Sequence, residues 1–143
     1  MKRVLTFGTF DEFHPGHEFY LREAKKYGNE LIVVVARNST VKEIKGKYPL
    51  NDELTRLAII QNLDYVDEAT LGHEGDKYAI IEELKPNVIC LGYDQHHFTD
   101  NLKTILNQRG LNPEIVRLEA FEPDIYKSSI LRKQNNHILS DDE

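Results

Sequence analysis

The chain has 143 residues, 40% of them hydrophobic, and a formal charge of −6. That length suits a single domain of roughly 100–200 residues with its own core. The acidic balance argues against a protein that coats nucleic acid, because that role needs a basic face to neutralise phosphates. Cys90 is the one cysteine, so an intramolecular disulfide is excluded and a reducing cytosol is the expected setting. No apolar run approaches the roughly 18 residues that a membrane span requires. The amino terminus enters a strand pattern directly, so signal and anchor are expected to be absent and the protein cytoplasmic.

Strand-length apolar runs alternate with helix-length amphipathic segments. The first strand is expected over 3–7 (RVLTF), followed by a turn and a helix over 17–27 with Tyr20, Ala24 and Tyr27 on one stripe. The run ELIVVVA, 30–36, is continuously apolar and β-branched, the pattern of a parallel strand covered on both faces, and is expected to be central. A lysine-bearing loop, VKEIKGKY, occupies 41–48. A helix over 52–63 follows, with Leu54, Leu57, Ala58 and Ile60 or Gln61 near one stripe and Asn51 as its N-cap. Strand 68–71, a short helix over 77–84, strand 87–92 with Cys90 in its core, and a second short helix over 101–108 come next. Arg109-Gly110 reads as the end of that helix. Strand 114–120, a helix over 128–137 and a disordered tail over 139–143 complete the chain. Five strands alternating with helices imply an α/β fold, a doubly wound parallel sheet in one domain, with ligands at the carboxyl ends of the strands.

The turn after the first strand, FGTFDEFHPGH, carries His14 and His17 around Pro15 and Gly16. Neither GxGxxG nor GxxxxGK occurs, which removes the dinucleotide fingerprint and the P-loop in their standard forms. Pro15 at a helix start removes a donor that would be unpaired anyway, and Gly16 lets backbone approach an anion. The helix end adds free N–H groups and a partial positive charge. Two imidazoles placed there can donate to phosphate oxygens and, when protonated, neutralise charge that grows during phosphoryl or nucleotidyl transfer. Zinc fits poorly, because only Asp11 stands near as a third ligand and structural zinc uses four.

The stretch GTFDEFHPGH resembles the fingerprint Gly-Thr-Phe-Asp-x-x-His-x-Gly-His of the cytidylyltransferase-like nucleotidyltransferases, matching at Gly8, Thr9, Phe10, Asp11, His14, Gly16 and His17. The likeness continues through residues 28–72 and LGYDQ, and within the group is greatest to single-domain FAD synthases of archaeal type. Glycerol-3-phosphate cytidylyltransferases are similar too, in the first motif and in YVDEA. The resemblance implies a Rossmann-like nucleotidyltransferase domain over 1–138 that transfers AMP from ATP to FMN. It implies nucleotide contacts at Thr9 and Phe10, phosphate contacts at His14 and His17, and a nucleoside contact at Asp94. Phe121 matches a nucleotide-binding position, Lys45 and Lys47 match lysines near the phosphates, and Arg56 matches an arginine on the following helix. The arginine and glycine of the motif that closes the cytidylyltransferase site are absent from EPDIYKSSIL, which bears against CTP. Ser128 and Ser129 there stand at a helix start where hydroxyls could hold a β- or γ-phosphate.

Each feature also has a plainer reading. Lys45 and Lys47 could belong to a solvated turn, Arg56 could pair with Asp52 or Glu53 on the surface, and Asp11 could cap the helix or orient an imidazole. His96 and His97 are adjacent, and on a strand would point to opposite faces. His73 and His137 lack companions and are expected to be exposed. Tyr and Phe residues along 19–27 are expected in the core. The chemistry expected is attack by an acceptor phosphate on the α-phosphorus of a nucleoside triphosphate, with Mg²⁺ or another divalent cation bridging phosphates. His14, His17 and Lys45 are the catalytic candidates. The rivals are CTP-dependent transfer to a sugar or polyol phosphate, and a non-catalytic nucleotide-binding domain. Similar enzymes often form dimers, so the resemblance allows a homodimer, although the sequence alone does not fix the assembly.

Overall fold

A computed structural model of the chain describes residues 2–92, 95 and 101–119. In chain order these form β1 (Arg3–Gly8), α1 (Pro15–Lys25), β2 (Glu30–Val35), α2 (Asn38–Lys45), α3 (Glu53–Gln61) and β3 (Glu68–Leu71). They continue with α4 (Ala79–Leu84), β4 (Val88–Leu91), α5 (Leu102–Gln108) and β5 (Glu114–Arg117). The helix expected over 128–137 and the tail 139–143 lie outside the described residues.

All five strands run parallel in the order β3-β2-β1-β4-β5, the doubly wound sheet that the sequence pattern implies. Chain order reverses between β1 and β4, the position at which doubly wound sheets take their ligands, at the carboxyl ends of the strands. β2 pairs on both sides and is buried through its apolar run, but the middle of the order belongs to β1. Alternate residues divide the core into two clusters. Val4, Val33, Val35, Val88 and Cys90 pack with Leu21 and Ala24 of α1 and Ile60 of α3. Leu5, Phe7, Ile32, Ile89 and Leu91 pack with Ile80 and Ile81 of α4 and Leu102 and Leu106 of α5. Helices thus cover both faces of the sheet, and every interior strand is apolar on both sides for that reason. Burial pushes the Cys90 thiol up to about 12, so it behaves as a core hydrophobe.

The differences from the expected elements are local. α1 starts at Pro15 and buries His17, Leu21 and Ala24, while Tyr27 is exposed. α2 replaces the first part of the loop expected over 41–48: Val41 is the helix's one buried residue, so the segment shows no apolar stripe. Gly46, left-handed at φ 83°, ends it. α3 buries Arg56 and Ile60 and leaves Leu54 exposed. Its N-cap is Asp52, whose carboxylate accepts from Leu54 N–H at 3.1 Å, whereas Asn51 turns to Asp11. Arg109 caps α5 and Gly110 follows at φ 80°, as the Arg-Gly pair implies.

Candidate active site

The turn after β1 is built on an exclusion. A Cβ on Gly8 would stand 2.5 Å from the far end of the Phe10 ring, so the ring folds back onto glycine where no other residue fits. Phe10 takes a left-handed conformation at φ 54° to do so, and is almost fully buried. Such a conformation costs a bulky residue about 1–2 kcal/mol, which tight packing must offset. The Phe10 ring is therefore a support beneath the site, its edge against the His17 ring with centroids 5.3 Å apart. Phe13 flanks His17 on another side at 5.7 Å. Thr9 is buried beside Phe10.

His14 is the N-cap of α1 and Pro15 occupies its first turn. His14 Nδ1 accepts from the N–H of Gly16 at 3.1 Å, and His17 Nδ1 accepts from the N–H of His14 at 3.3 Å. This is a capping box in which both partners are imidazoles. The rings stack with centroids 3.8 Å apart and planes within 19°. Because each Nδ1 accepts a backbone N–H, each neutral ring carries its proton on Nε2. Two Nε2–H donors are thereby fixed side by side at the positive end of a helix.

Two expectations change here. The helix start does not present free amides, since Gly16 N–H bonds His14 Nδ1 while the N–H groups of His17 and Glu18 bond His14 O. Nor do the imidazoles carry charge near neutral pH. Burial, with repulsion from His14 and from the Lys45 ammonium, pushes His17 down to about 3. Desolvation lowers His14 too, opposed by Glu12. In the folded chain the pair is therefore held neutral, with the Lys45 ammonium as the cation that bears on His17.

Lys45 ends α2 and Lys47 follows the Gly46 turn, both exposed. Lys45 thus stands on a helix, not in a loop. Arg56 is not a surface residue: its side chain is fully buried. Nε donates to Asn51 O at 2.9 Å, Nη1 to Thr9 O at 2.9 Å and Ala36 O at 2.7 Å, and Nη2 to Asn38 Oδ1 at 2.8 Å. One guanidinium ties together the histidine turn, the end of β2, the start of α2 and the approach to α3. Asp11 neither caps α1 nor touches an imidazole. Its carboxylate accepts from Leu50 N–H and Asn51 N–H at 2.8 Å each, and Asn51 Nδ2 donates to Asp11 O. His73 has a companion after all, bonding Glu83 at 2.8 Å.

An open hollow of about 440 Å³, which sequence reasoning missed, lies beyond β2 and β3 and is lined by Arg37, His73, Glu74, Asp76 and Ala79. Arg37 is anchored there to Gly72 O at 2.6 Å and Glu53 at 3.4 Å. Only the pairing of loops that follow β2 and β3 reveals it; no spacing within the chain does. Asp94, His96, His97, Phe121, Ser128, Ser129 and His137 lie outside the described residues. Among the described residues no three His, Cys, Asp or Glu side chains gather closely enough to hold a metal ion, and no helix is long and apolar enough to cross a membrane.

The five parallel strands with helices on both faces make a doubly wound α/β domain, whose first strand leads into the helix start that carries the paired imidazoles, beside the point where strand order reverses. The chain belongs to the cytidylyltransferase-like family, whose pattern matches residues 5–134. Curated relatives include the FAD synthase of Thermoplasma volcanium, 44% identical over 141 residues and 99% of both chains. The FAD synthase of Archaeoglobus profundus is 49% identical over 129 residues, 90% of this chain and 82% of that one. Among solved structures, the lipopolysaccharide core biosynthesis protein from Thermoplasma volcanium superimposes with a TM-score of 0.81 at 48% identity, covering 85% of this chain and 99% of that one. Pantoate-beta-alanine ligase from Francisella tularensis, 18% identical with a TM-score of 0.63 over 85% of this chain and 60% of that one, shares the fold alone.

Proposed function

We propose that the chain transfers AMP from ATP to FMN, giving FAD and pyrophosphate. Relatives named FAD synthase at 44–49% identity over most of the chain support this reading. The observation that carries it is the His14–His17 stack at the start of α1. An FMN phosphate oxygen attacks the α-phosphorus of ATP, the new phosphoanhydride bond forms, and the bond to pyrophosphate breaks in line with it. The acceptor needs no side-chain base, because a phosphate monoester with a second pKa of about 6 is already ionised near pH 7. Positioning and charge stabilisation do the rest.

The Nε2–H groups of His14 and His17 donate to phosphate oxygens as negative charge moves toward the leaving group. Neutral donors suit this work, since their proton stays on Nε2 while Nδ1 is engaged by backbone. Lys45 and Lys47 add point charges on the triphosphate. A divalent cation enters with the triphosphate as part of the substrate, because magnesium is usually carried by few protein ligands and by phosphates. Thr9, Pro15 and Gly16 shape the turn, and Arg56 holds it in place. We assign Asp94 and Phe121 to the nucleoside and Ser128 and Ser129 to the outer phosphates, on the sequence resemblance. We place the reaction in the cytoplasm; sedimentation decides between a monomer and the homodimer that the resemblance allows.

Incubation with Mg²⁺, ATP or CTP, and FMN or glycerol 3-phosphate, followed by separation of the nucleotides, tests the reading. FAD formed only from ATP and FMN is the expected result. A CDP-linked polyol, or saturable ATP binding with no pyrophosphate from any acceptor, refutes it.

A further inference from the structure

β1 and β4 pair through Val4 with Val88, Leu5 with Ile89 and Thr6 with Cys90. The next carbonyl along β1, Phe7 O, lies past the last of these pairs and is met by side chains instead. Gln95 Nε2 donates to it at 2.9 Å, while Gln95 Oε1 accepts from Gly92 N–H at 2.7 Å. The Tyr20 hydroxyl lies 3.2 Å from Phe7 O, 3.1 Å from Cys90 O and 3.2 Å from Gln95 Oε1, within donating reach of each. From β5, Arg117 Nη1 donates to Gly92 O at 2.8 Å and to Gln95 O at 2.7 Å. A side-chain amide thus stands where a further strand residue would, at the point where chain order reverses.

We propose that Gln95 is a positioning residue for the nucleotide: its amide closes the floor of the crevice between β1 and β4, and Tyr20 couples that floor to the helix bearing His14 and His17. The identity of the nucleotide as a triphosphate rests on the proposed function. The geometry requires an amide. Oε1 must accept from Gly92 while Nε2 donates to Phe7, and a carboxylate would set oxygen against oxygen at Phe7 O. Tyr20 follows His17 by three residues on α1, so the two side chains are neighbours on one helical face. A floor held from α1, β1, β4 and β5 fixes how deep the nucleoside sits relative to the imidazoles. A nucleotide seated at the wrong depth presents its α-phosphate out of line.

Steady-state kinetics on Gln95→Met and Tyr20→Phe test this, the second variant keeping the ring and losing only the hydroxyl. Gln95→Met should raise KM for ATP about tenfold, leave kcat at saturating ATP within about threefold, and leave KM for FMN unchanged. Tyr20→Phe should shift KM for ATP in the same direction by less. A residue that only stiffens the fold would lower the active fraction, so a fall in kcat with KM for ATP unchanged overturns the proposal. Should the wild-type chain form no FAD, the activity reading fails separately, and calorimetry with a non-hydrolysable ATP analogue decides this one. Affinity about tenfold weaker in Gln95→Met upholds it, and equal affinity overturns it.

Discussion

The buried guanidinium of Arg56 donates to the carbonyl oxygen of Thr9 at 2.9 Å, across 47 residues of chain, inside the turn that leads to both histidines. Through Ala36 O and Asn51 O the same group reaches two further loops. Arg56→Ala takes a donor from one buried carbonyl, Thr9 O, and from two half-buried ones, Ala36 O and Asn51 O; at roughly 1–3 kcal/mol for the buried group and about 0.5–1 for each of the others, the expected loss of stability is about 2–5 kcal/mol. Denaturant unfolding followed by circular dichroism measures it. A loss under about 1 kcal/mol would mean an exposed ion pair after all.

Gly8 is the second structural test. Adding one methyl there drives a Cβ into the Phe10 ring, which is itself held in a left-handed conformation. Gly8→Ala should cost about 1–3 kcal/mol, the usual range for overpacking. Gly8→Ala combined with Phe10→Ala should recover part of the clash, so the double mutant ought to be less destabilised than the sum of the singles. Strict additivity would show that the ring does not rest on Gly8.

Capping and chemistry can be separated at His14. Asparagine is among the best N-cap residues, so His14→Asn should keep α1 and shift stability by less than about 1 kcal/mol. It removes the Nε2–H donor, and turnover should fall by about 100-fold or more, the cost of one donor that acts in the transition state. His14→Ala should lose both. Equal turnover in the asparagine variant and the wild type would confine His14 to a capping role.

The acid limb of stability follows from the imidazoles. His17 titrates near 3 in the folded chain against an ordinary 6.5, so the unfolded chain takes up the proton first as pH falls. The stabilisation is complete above the ordinary value and drains away between 6.5 and about 3, by up to about 1.4 kcal/mol per pH unit. His14 contributes with the same sign. Carboxylates held low, Asp52 by the Leu54 N–H and Asp76 by the Arg109 guanidinium, add their losses only at lower pH. Melting temperature should therefore decline already between pH 7 and 5, and His17→Asn should flatten that decline. A wild-type melting temperature constant over this window contradicts the buried neutral imidazole.

The interior strands were legible because each carries a short run of apolar residues, ELIVVV being the longest; the edge strands EATL and EIVR carry shorter ones. α2 was not, because a helix that buries Val41 alone leaves no periodic stripe to read. The stripes of α1 and α3 were legible in part, since Ala24 and Ile60 are buried and Tyr20 and Leu57 pack against the same core; the burial of His17 and Arg56 was not, because they are polar and depend on acceptors and rings that no local pattern displays.

Local sequence determined the alternation of strand and helix, the single domain, and the spacing of His14 and His17 on one turn, since each depends on neighbours within a few residues. Tertiary structure alone decided that the two stacked rings are held neutral, that Asp11 fastens the loop before α3, and that Arg56 is a buried tie and not a surface charge. Those outcomes depend on partners up to 47 residues away. Desolvation, which sets the protonation of the histidines, exists only once the sheet and its helices have closed around them.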